Sequence, residues 1–211
     1  FVSPDVLRQT FRRLMETQPD LILLTGDFAT DCVEEVEEAV DALAELRAPL
    51  GVYGVLGNHD YYTGDVQRVE ALLTEAGIGL LQNDSTVIEQ GASRFLLAGV
   101  DDLLDGQPRF DLALRGRSRE MPTVVMSHNP DVFPEAVEHD VSLVLACHTH
   151  GGHFRIPGLP VLFRMSRYHV DEGRYQVGNS ELVVTRGLGV TGLPLRFGCP
   201  PEALLLNLSP A

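Results

Sequence analysis

Residues 52–60 of the chain read VYGVLGNHD, a short apolar run that leads directly into polar residues able to bind a metal ion. The apolar half predicts a buried strand, and Asn58, His59 and Asp60 follow it at once. Ligands of open α/β sheets bind at the carboxyl ends of the strands. The stretch therefore predicts an α/β fold with a candidate site at one edge of its sheet.

Three further segments repeat this layout. Taken singly, each has an ordinary explanation, because Asp often caps a helix and Gly-Asn is common in turns. Four such strand ends in one chain instead indicate one shared site. Oxygen ligands from Asp and Asn together with imidazole nitrogens suit Mn, Fe, Zn or a similar divalent ion. The three segments are Gly26-Asp27 after LILLT, Ser127-His128-Asn129 after TVVM, and His148-Thr149-His150 after LVLAC.

Helical and strand patterns alternate along most of the chain, and a Gly- and Pro-rich part with short strands follows. This order predicts an α/β fold with a mixed sheet or two sheets. No linker divides it, so residues 1–211 are expected to form one domain. The predicted helices are 5–18, 33–47, 65–77, 108–115 and 131–138, and the predicted strands are 20–25, 51–56, 85–89, 94–100, 122–127, 142–147, 174–178, 181–185 and 203–208.

The composition excludes several classes of protein. The 211 residues are 44% hydrophobic and 22% charged, as in globular domains, and no apolar run approaches the ~18 residues of a membrane span. The net charge of −14, from 16 basic and 30 acidic residues, argues against nucleic acid as a partner. An acidic protein that binds phosphate needs local cations, from metal ions or a few arginines. Three scattered cysteines favour a reducing, cytoplasmic compartment.

The later part of the chain adds two longer motifs, THGGHFRIPGLPVLF at 149–163 and VTRGLGVTGLPLRFGCPPEALLLNL at 184–208. Together with GD, GNHD and the single His after a strand, they resemble the calcineurin-like metallophosphoesterases. Within that superfamily they resemble the bacterial membrane-associated phosphoesterases and the UDP-2,3-diacylglucosamine hydrolase-like enzymes. The resemblance covers nearly the whole chain. It implies a four-layer α/β/β/α sandwich with two mixed β-sheets, whose first strand is missing from this chain.

The same resemblance implies a reaction and a set of site residues. The reaction is hydrolysis of a phosphodiester, phosphomonoester or pyrophosphate bond by a hydroxide that bridges two divalent ions. His59 matches the histidine that contacts the substrate phosphate and protonates the leaving group, and Asn58 also contacts the substrate. The metal ligands that it implies are Asp27 on both ions, Asn58, His128 and His148 on the second ion, and His150 on the first.

The chain departs from the family pattern at three places, the third being Cys147 and His153, which replace a usual Gly and a frequent Gln. No Asp-x-His motif precedes Asp27, so the chain is expected to begin just after it, and the second-ion site is expected to be better preserved than the first. Relatives often carry an N-terminal membrane segment, so association with a membrane through such a segment is a second expectation for location. Thr30 stands where relatives have an Asp that orients the catalytic histidine, which leaves the partner of His59 open.

Partners and alternatives follow from the same residues. Among the arginines of the later part, Arg186 is expected to bind the substrate phosphate, and its alternative role is a surface ion pair. The expected substrate is a small phosphate ester or a lipid-linked phosphate, with no nucleic acid and no stable membrane span in this chain. A protein of another class also stays open, namely a metal-poor binding or scaffold protein of the same fold.

Overall fold

Two β-sheets form the centre of the computed structural model, which describes residues 2–156, 161, 164–191 and 195–209. The smaller sheet holds three parallel strands in chain order, β1 (Ile22–Leu24), β2 (Val52–Gly54) and β3 (Gly79–Leu80). The strands of the larger sheet are β4 (Asp84–Gln90), β5 (Ser93–Gly99), β6 (Thr123–Met126), β7 (Leu143–Ala146), β8 (Gly173–Val177) and β9 (Ser180–Val184).

The larger sheet is mixed. Its order is β4-β5-β6-β7-β9-β8, and the four inner strands β5, β6, β7 and β9 run parallel to one another. The outer strands β4 and β8 pair antiparallel with β5 and β9. The carboxyl ends of β5, β6, β7 and β9 therefore lie along one edge, which is where the sequence places His128 and His148.

Helices cover the outer face of each sheet. They are α1 (Pro4–Met15), α2 (Glu34–Leu43), α3 (Asn58–Tyr62), α4 (Val66–Glu75), α5 (Phe110–Ala113) and α6 (Phe133–Glu138), with 3₁₀ turns at Pro130–Val132 and His150–Gly152. Asp65 is the N-cap of helix α4. Its side chain accepts the main-chain N–H of Arg68 at 3.1 Å.

Three apolar clusters hold the layers together. One lies between the smaller sheet and α1, α2 and α4, and includes Phe11 and Leu73. A second lies between the two sheets and includes Leu97 and Met126. The third lies between the larger sheet and α5 and α6, and includes Phe110. This order confirms the α/β/β/α sandwich.

Most predicted helices and strands are confirmed, with ends that shift by a few residues. The strand predicted at 20–25 is shorter, and its three residues are half-buried because β1 lies at the edge of the described sheet. The strand predicted at 203–208 is wrong, because this segment has no strand partner and exposes Leu204, Leu205 and Leu208. None of the helices in the described residues is both long and apolar enough to cross a lipid bilayer.

Candidate functional site

The loops that follow β1 and β2 approach each other at two glycines. A Cβ on Gly57 would lie 2.2 Å from Oδ1 of Asp27, and a Cβ on Gly26 would lie 2.7 Å from the main-chain nitrogen of Gly57. Gly26 also has a φ of +90°, which glycine adopts easily. The glycines that precede Asp27 and Asn58 therefore allow the two candidate ligands to come together.

Asp60 connects the same two loops from inside the protein. Its fully buried carboxylate accepts the main-chain N–H groups of Asp27, Phe28, Ala29 and Gly57 over 2.7 to 3.0 Å. Burial and the charge of Asp27 raise the pKa of Asp60 to about 7, while the hydrogen bonds from Gly57 and Ala29 oppose that rise. Asp60 thus fixes the backbone from which the candidate ligands project.

Atoms of three candidate ligands lie in a row. Oδ2 of Asp27 lies 3.2 Å from Nε2 of His128, which lies 3.2 Å from Nδ1 of His148. Nδ1 of His128 lies 2.8 Å from the main-chain oxygen of Thr25. A hydrogen bond donated to that oxygen leaves Nε2 as the ligand atom, and metal-binding histidines commonly use their other nitrogen in this way.

Asn58 adds an oxygen that lacks a partner. Its side chain is buried, and Oδ1 has no hydrogen bond to any residue that the structure describes. A buried acceptor left unpaired costs roughly 1–3 kcal/mol, which a cation beside it would offset. The oxygens of Asp27 and Asn58 and the nitrogens of His128 and His148 therefore fit the donor set of a divalent ion.

Electrostatics favours a charged pair within this row. Burial raises the pKa of Asp27, but the charge and hydrogen bond of His128 outweigh it and bring the pKa to about 2. Burial lowers the pKa of His128, but Asp27 outweighs that and brings it to about 9. Burial and the charge of His128 lower the pKa of His148 to about 4. Without metal, the row therefore holds one ion pair and one neutral imidazole.

His59 is held by one main-chain group and one side chain. Its Nδ1 lies 2.5 Å from the carbonyl oxygen of Thr30, and its main-chain N–H donates to Oδ1 of Asp27 at 3.0 Å. The carbonyl of Thr30 is therefore the ring partner of His59 that the sequence left open. The identity of a side chain does not reveal such a partner, because every residue has a main-chain carbonyl.

Three of the candidate residues have an unusual backbone conformation. Asp27, His148 and His150 have φ values of +59°, +57° and +49°, in the left-handed region that residues other than glycine rarely adopt. Such conformations cost on the order of 1–3 kcal/mol each. Five other described residues share this conformation, among them Gln18 and Asp140, so a positive φ does not by itself mark the site.

His150 contacts the later part of the chain instead of the row. Its Nδ1 lies 3.2 Å from Nη2 of Arg196, its Nε2 lies 3.4 Å from Oγ1 of Thr191, and its ring stacks on His153 at 4.7 Å. Burial and His153 lower the pKa of His150 to about 3. The structure thus brings together Asp27, His59, His128 and His148, and places His150 beside them on the 3₁₀ turn.

Arg186 pairs with acidic side chains. Its Nε donates to Oε2 of Glu202 at 2.8 Å and lies 3.7 Å from Oε2 of Glu172. The ion pair that the sequence offered as its alternative role is therefore present, and the substrate role stays a prediction. Arg196, which the sequence favoured less, donates to the carbonyl of Arg186 at 2.8 Å and has a buried Nη1 without a partner among the residues described.

A fifth strand end escaped the sequence analysis. Asp101 and Asp102 follow β5, and the preceding apolar residues 96–100 repeat the layout of the other four ends, so the signal was available. Asp101 accepts hydrogen bonds from Tyr61 and Gln82. Asp102 is buried, and its charge influences the pKa values of the groups around it, His128 among them.

One more group of metal-competent side chains lies in the loop before α2. Ligand atoms of Asp31, Cys32 and Glu35 lie within 4.8 Å of one another, and all three residues are exposed or half-buried. Glu35 already accepts the main-chain N–H of Thr30. This group therefore supports the loop that holds His59 and adds no ligand to the row.

Comparison with known proteins identifies the family of the chain. The calcineurin-like phosphoesterase family model matches residues 3–152. The Bacillus subtilis metallophosphoesterase YkuE is 32% identical over 206 residues, which cover 96% of this chain and 72% of YkuE. The Escherichia coli phosphodiesterase YaeI is 32% identical over 213 residues, covering 99% of this chain and 77% of YaeI.

A Danio rerio transmembrane protein with a metallophosphoesterase domain is 32% identical over 227 residues, and this chain spans 51% of its length. Among solved structures, the Mycobacterium tuberculosis phosphopantetheinyl hydrolase PptH matches with a TM-score of 0.52 at 12% identity, covering 84% of this chain and 85% of PptH. Thermus thermophilus SoxB, a sulfate thiohydrolase, matches with a TM-score of 0.55 at 15% identity, covering 86% and 36%. At these identities the two structures show a shared fold. The family match and the identity to YkuE show that this chain belongs to the calcineurin-like phosphoesterase family.

Proposed function

We propose that this protein hydrolyses a small phosphoester, with a phosphodiester as the preferred class, and that it uses two divalent ions. The observation that carries the proposal is the row of Asp27, His128 and His148, together with the buried Oδ1 of Asn58, which has no partner among the described residues. These four residues would hold the second ion, and Asp27 and His150 would contribute to the first. When bound, such ions supply Lewis acidity that activates water and neutralises phosphate charge.

His59 is the residue that we assign to proton transfer. A hydrogen bond from Nδ1 to the carbonyl of Thr30 leaves Nε2 as the nitrogen that can protonate a leaving-group oxygen. The bond from its main chain to Asp27 ties this ring to the candidate metal ligand. This hydrogen bond therefore links the proposed proton donor to the candidate ligand.

The net charge supports dependence on cations. A chain with a formal charge of −14 repels an anionic phosphate ester over a distance of several ångströms. The arginine expected to offset this, Arg186, is paired with Glu202. Bound divalent ions would supply the positive charge that the substrate needs at the site.

Hydrolysis of bis-p-nitrophenyl phosphate tests the proposal directly. We expect turnover with added Mn²⁺, loss of turnover with a chelator, and slower hydrolysis of the monoester p-nitrophenyl phosphate. His128→Gln should abolish turnover, while the matched variant His169→Gln, at an exposed histidine, should retain it. Absence of chelator-sensitive hydrolysis with Mn²⁺ added would favour the metal-poor scaffold alternative.

The finer features of the proposal rest on other observations. The name of YaeI, a phosphodiesterase, supports the diester class. A lipid-linked phosphate stays a prediction, and so does a cytoplasmic location, which the three free cysteines support. The name of the Danio rerio relative, a transmembrane protein, supports a location of this protein near a membrane. We also propose that the chain acts as one domain, which the apolar cluster between the sheets supports.

A further inference from the structure

Thr149 lies between two candidate ligands and has no part in the mechanism proposed above. It separates His148 from His150, and it is fully buried. Its Oγ1 lies 2.6 Å from the main-chain oxygen of Asp171 and 3.2 Å from that of Cys147. A hydroxyl has one proton to donate, and the main-chain N–H of Thr149 already donates to the oxygen of Cys147 at 2.6 Å. The hydroxyl therefore donates to Asp171, which lies 22 positions away in the sequence.

The turn around Thr149 has a backbone conformation that depends on its surroundings. His148 and His150 have φ values of +57° and +49° on either side of it, whereas the φ of Thr149 itself is −75°. Residues other than glycine keep a positive φ only where the surrounding structure imposes it. The hydrogen bond to Asp171 holds the middle of this turn. A shift of Thr149 would therefore move the backbone of both histidines at once.

The segment that accepts this hydrogen bond is itself attached close to His128. Residues 164–171 precede β8 and end at the residue whose carbonyl accepts the bond. The hydroxyl of Ser166 donates to Oδ1 of Asp131 at 2.6 Å, and the main-chain N–H of Arg167 donates to Oδ2 at 2.9 Å. Asp131 follows His128 by three positions. One segment therefore contacts both the chain that follows β6 and the turn that follows β7.

We propose that Thr149 is a positioning residue, whose hydroxyl fixes the turn that carries His148 and His150 at the metal site. The proposal rests on the metal binding put forward above. Nδ1 of His148 lies 3.2 Å from Nε2 of His128, so a displacement of the turn would separate two proposed ligands of the same ion. Groups that orient metal ligands without touching the ion typically change metal affinity or activity by about 10–100-fold when they are removed.

Thr149→Val removes the hydroxyl and keeps the branched shape of the side chain. We expect the affinity of the chelator-treated protein for Mn²⁺, measured by electron paramagnetic resonance titration, to fall about tenfold. Thr149→Ser keeps the hydroxyl and should retain the affinity of the unchanged protein. This rescue separates the hydrogen bond from the packing of the methyl group.

Thr123→Val is the matched control. Thr123 is also fully buried, and its hydroxyl donates to the main-chain oxygen of Met121 at 3.0 Å. It begins β6, at the opposite end of that strand from His128. The same chemical change at Thr123 should leave the affinity for Mn²⁺ unchanged, even where thermal unfolding without metal shows a loss of stability.

Any of three titration results overturns the role of Thr149 and leaves the proposed function standing. These are an unchanged affinity in Thr149→Val, an equal loss in Thr123→Val, and an equal loss in Thr149→Ser. If Thr149→Val does not fold, Thr149→Ala removes the same hydroxyl with a smaller side chain. Failure of both variants to fold would assign the hydroxyl to folding and overturn its positioning role. If the unchanged protein itself binds no Mn²⁺, both proposals fail.

Discussion

The carboxylate of Asp60 accepts the main-chain N–H of Asp27 at 3.0 Å, although the two residues lie 33 positions apart. Asp60 is fully buried and belongs to the GNHD motif, while Asp27 belongs to the GD motif. The two sequence motifs are therefore joined by a hydrogen bond from the backbone of one to a side chain of the other. Asp60, the fourth residue of GNHD, has a structural role in the site.

Asp60→Asn should destabilise the protein without a change of side-chain size. The amide keeps one accepting oxygen and presents N–H groups to the main-chain donors that the second oxygen served, so some buried donors lose their acceptor. We expect the free energy of unfolding to fall by about 2–3 kcal/mol in urea denaturation. Asp20→Asn, at an exposed position, is the control and should change it little. Equal stability of the two variants would contradict the structural role.

Gly57→Ala should separate the two loops. The new Cβ would lie 2.2 Å from Oδ1 of Asp27 and 2.7 Å from its main-chain nitrogen, distances that real structures do not tolerate. We expect loss of Mn²⁺ binding in a titration of the purified variant. Gly189→Ala is the control, because its nearest neighbour in the described residues is Val2 at 3.8 Å. Retained Mn²⁺ affinity in Gly57→Ala would show that the close approach is dispensable.

His59→Gln should slow turnover and leave metal binding intact. A general acid contributes typically 10²–10⁴-fold, and it matters more when the leaving group is a poor one. We therefore expect kcat to fall by about 10²-fold for an alkyl diester and less for bis-p-nitrophenyl phosphate. Metal content per chain, measured in parallel, should not change. A loss of metal that matches the loss of kcat would assign His59 to structure instead of proton transfer.

The ion pair of Asp27 and His128 predicts the pH dependence of the chelator-treated protein. The pKa of His128 rises from 6.5 to about 9, so its stabilisation is complete below pH 6.5 and is lost as the pH rises through 9. The pKa of Asp27 falls from 3.8 to about 2, so its contribution is present above pH 3.8 and is lost as the pH falls through 2. The pH range between 6.5 and 9, in which His128 loses its proton, gives the cleaner test.

Between pH 6.5 and 9 the free energy of unfolding should decrease in the metal-free protein. His128→Gln should remove this part of the decrease, and His169→Gln should keep it. Urea denaturation at several pH values, with a chelator present, provides the measurement. The same slope in all three proteins would show that His128 does not titrate with a raised pKa.

The sequence predicted the strand ends well because they combine two local signals. In β7, the apolar run at Leu143–Ala146 and the His148-Thr149-His150 that follows it can both be recognised without knowledge of the fold. The strand predicted at 203–208 was wrong for the opposite reason. A strand also needs a neighbour, and Pro200 and Pro201 before this segment supply no N–H groups.

The contacts that orient the site could not be predicted in the same way. The partner of His59 is a carbonyl, that of Thr30, and the partner of His128 is the carbonyl of Thr25. Every residue offers a carbonyl, so only the path of the backbone selects one. The positive φ of Asp27 is likewise a consequence of the loops that meet there and leaves no signature in residue type.

The ring of His128 lies against the carbonyl of Thr25, 103 positions away. Thr25 follows a strand of the smaller sheet, and His128 follows a strand of the larger sheet. During synthesis, the first sheet leaves the ribosome long before His128 and His148 exist as peptide. A nascent chain therefore holds only isolated, weak ligands for most of its elongation. A metal site that takes ligands from both sheets would therefore be complete only after the two sheets have docked.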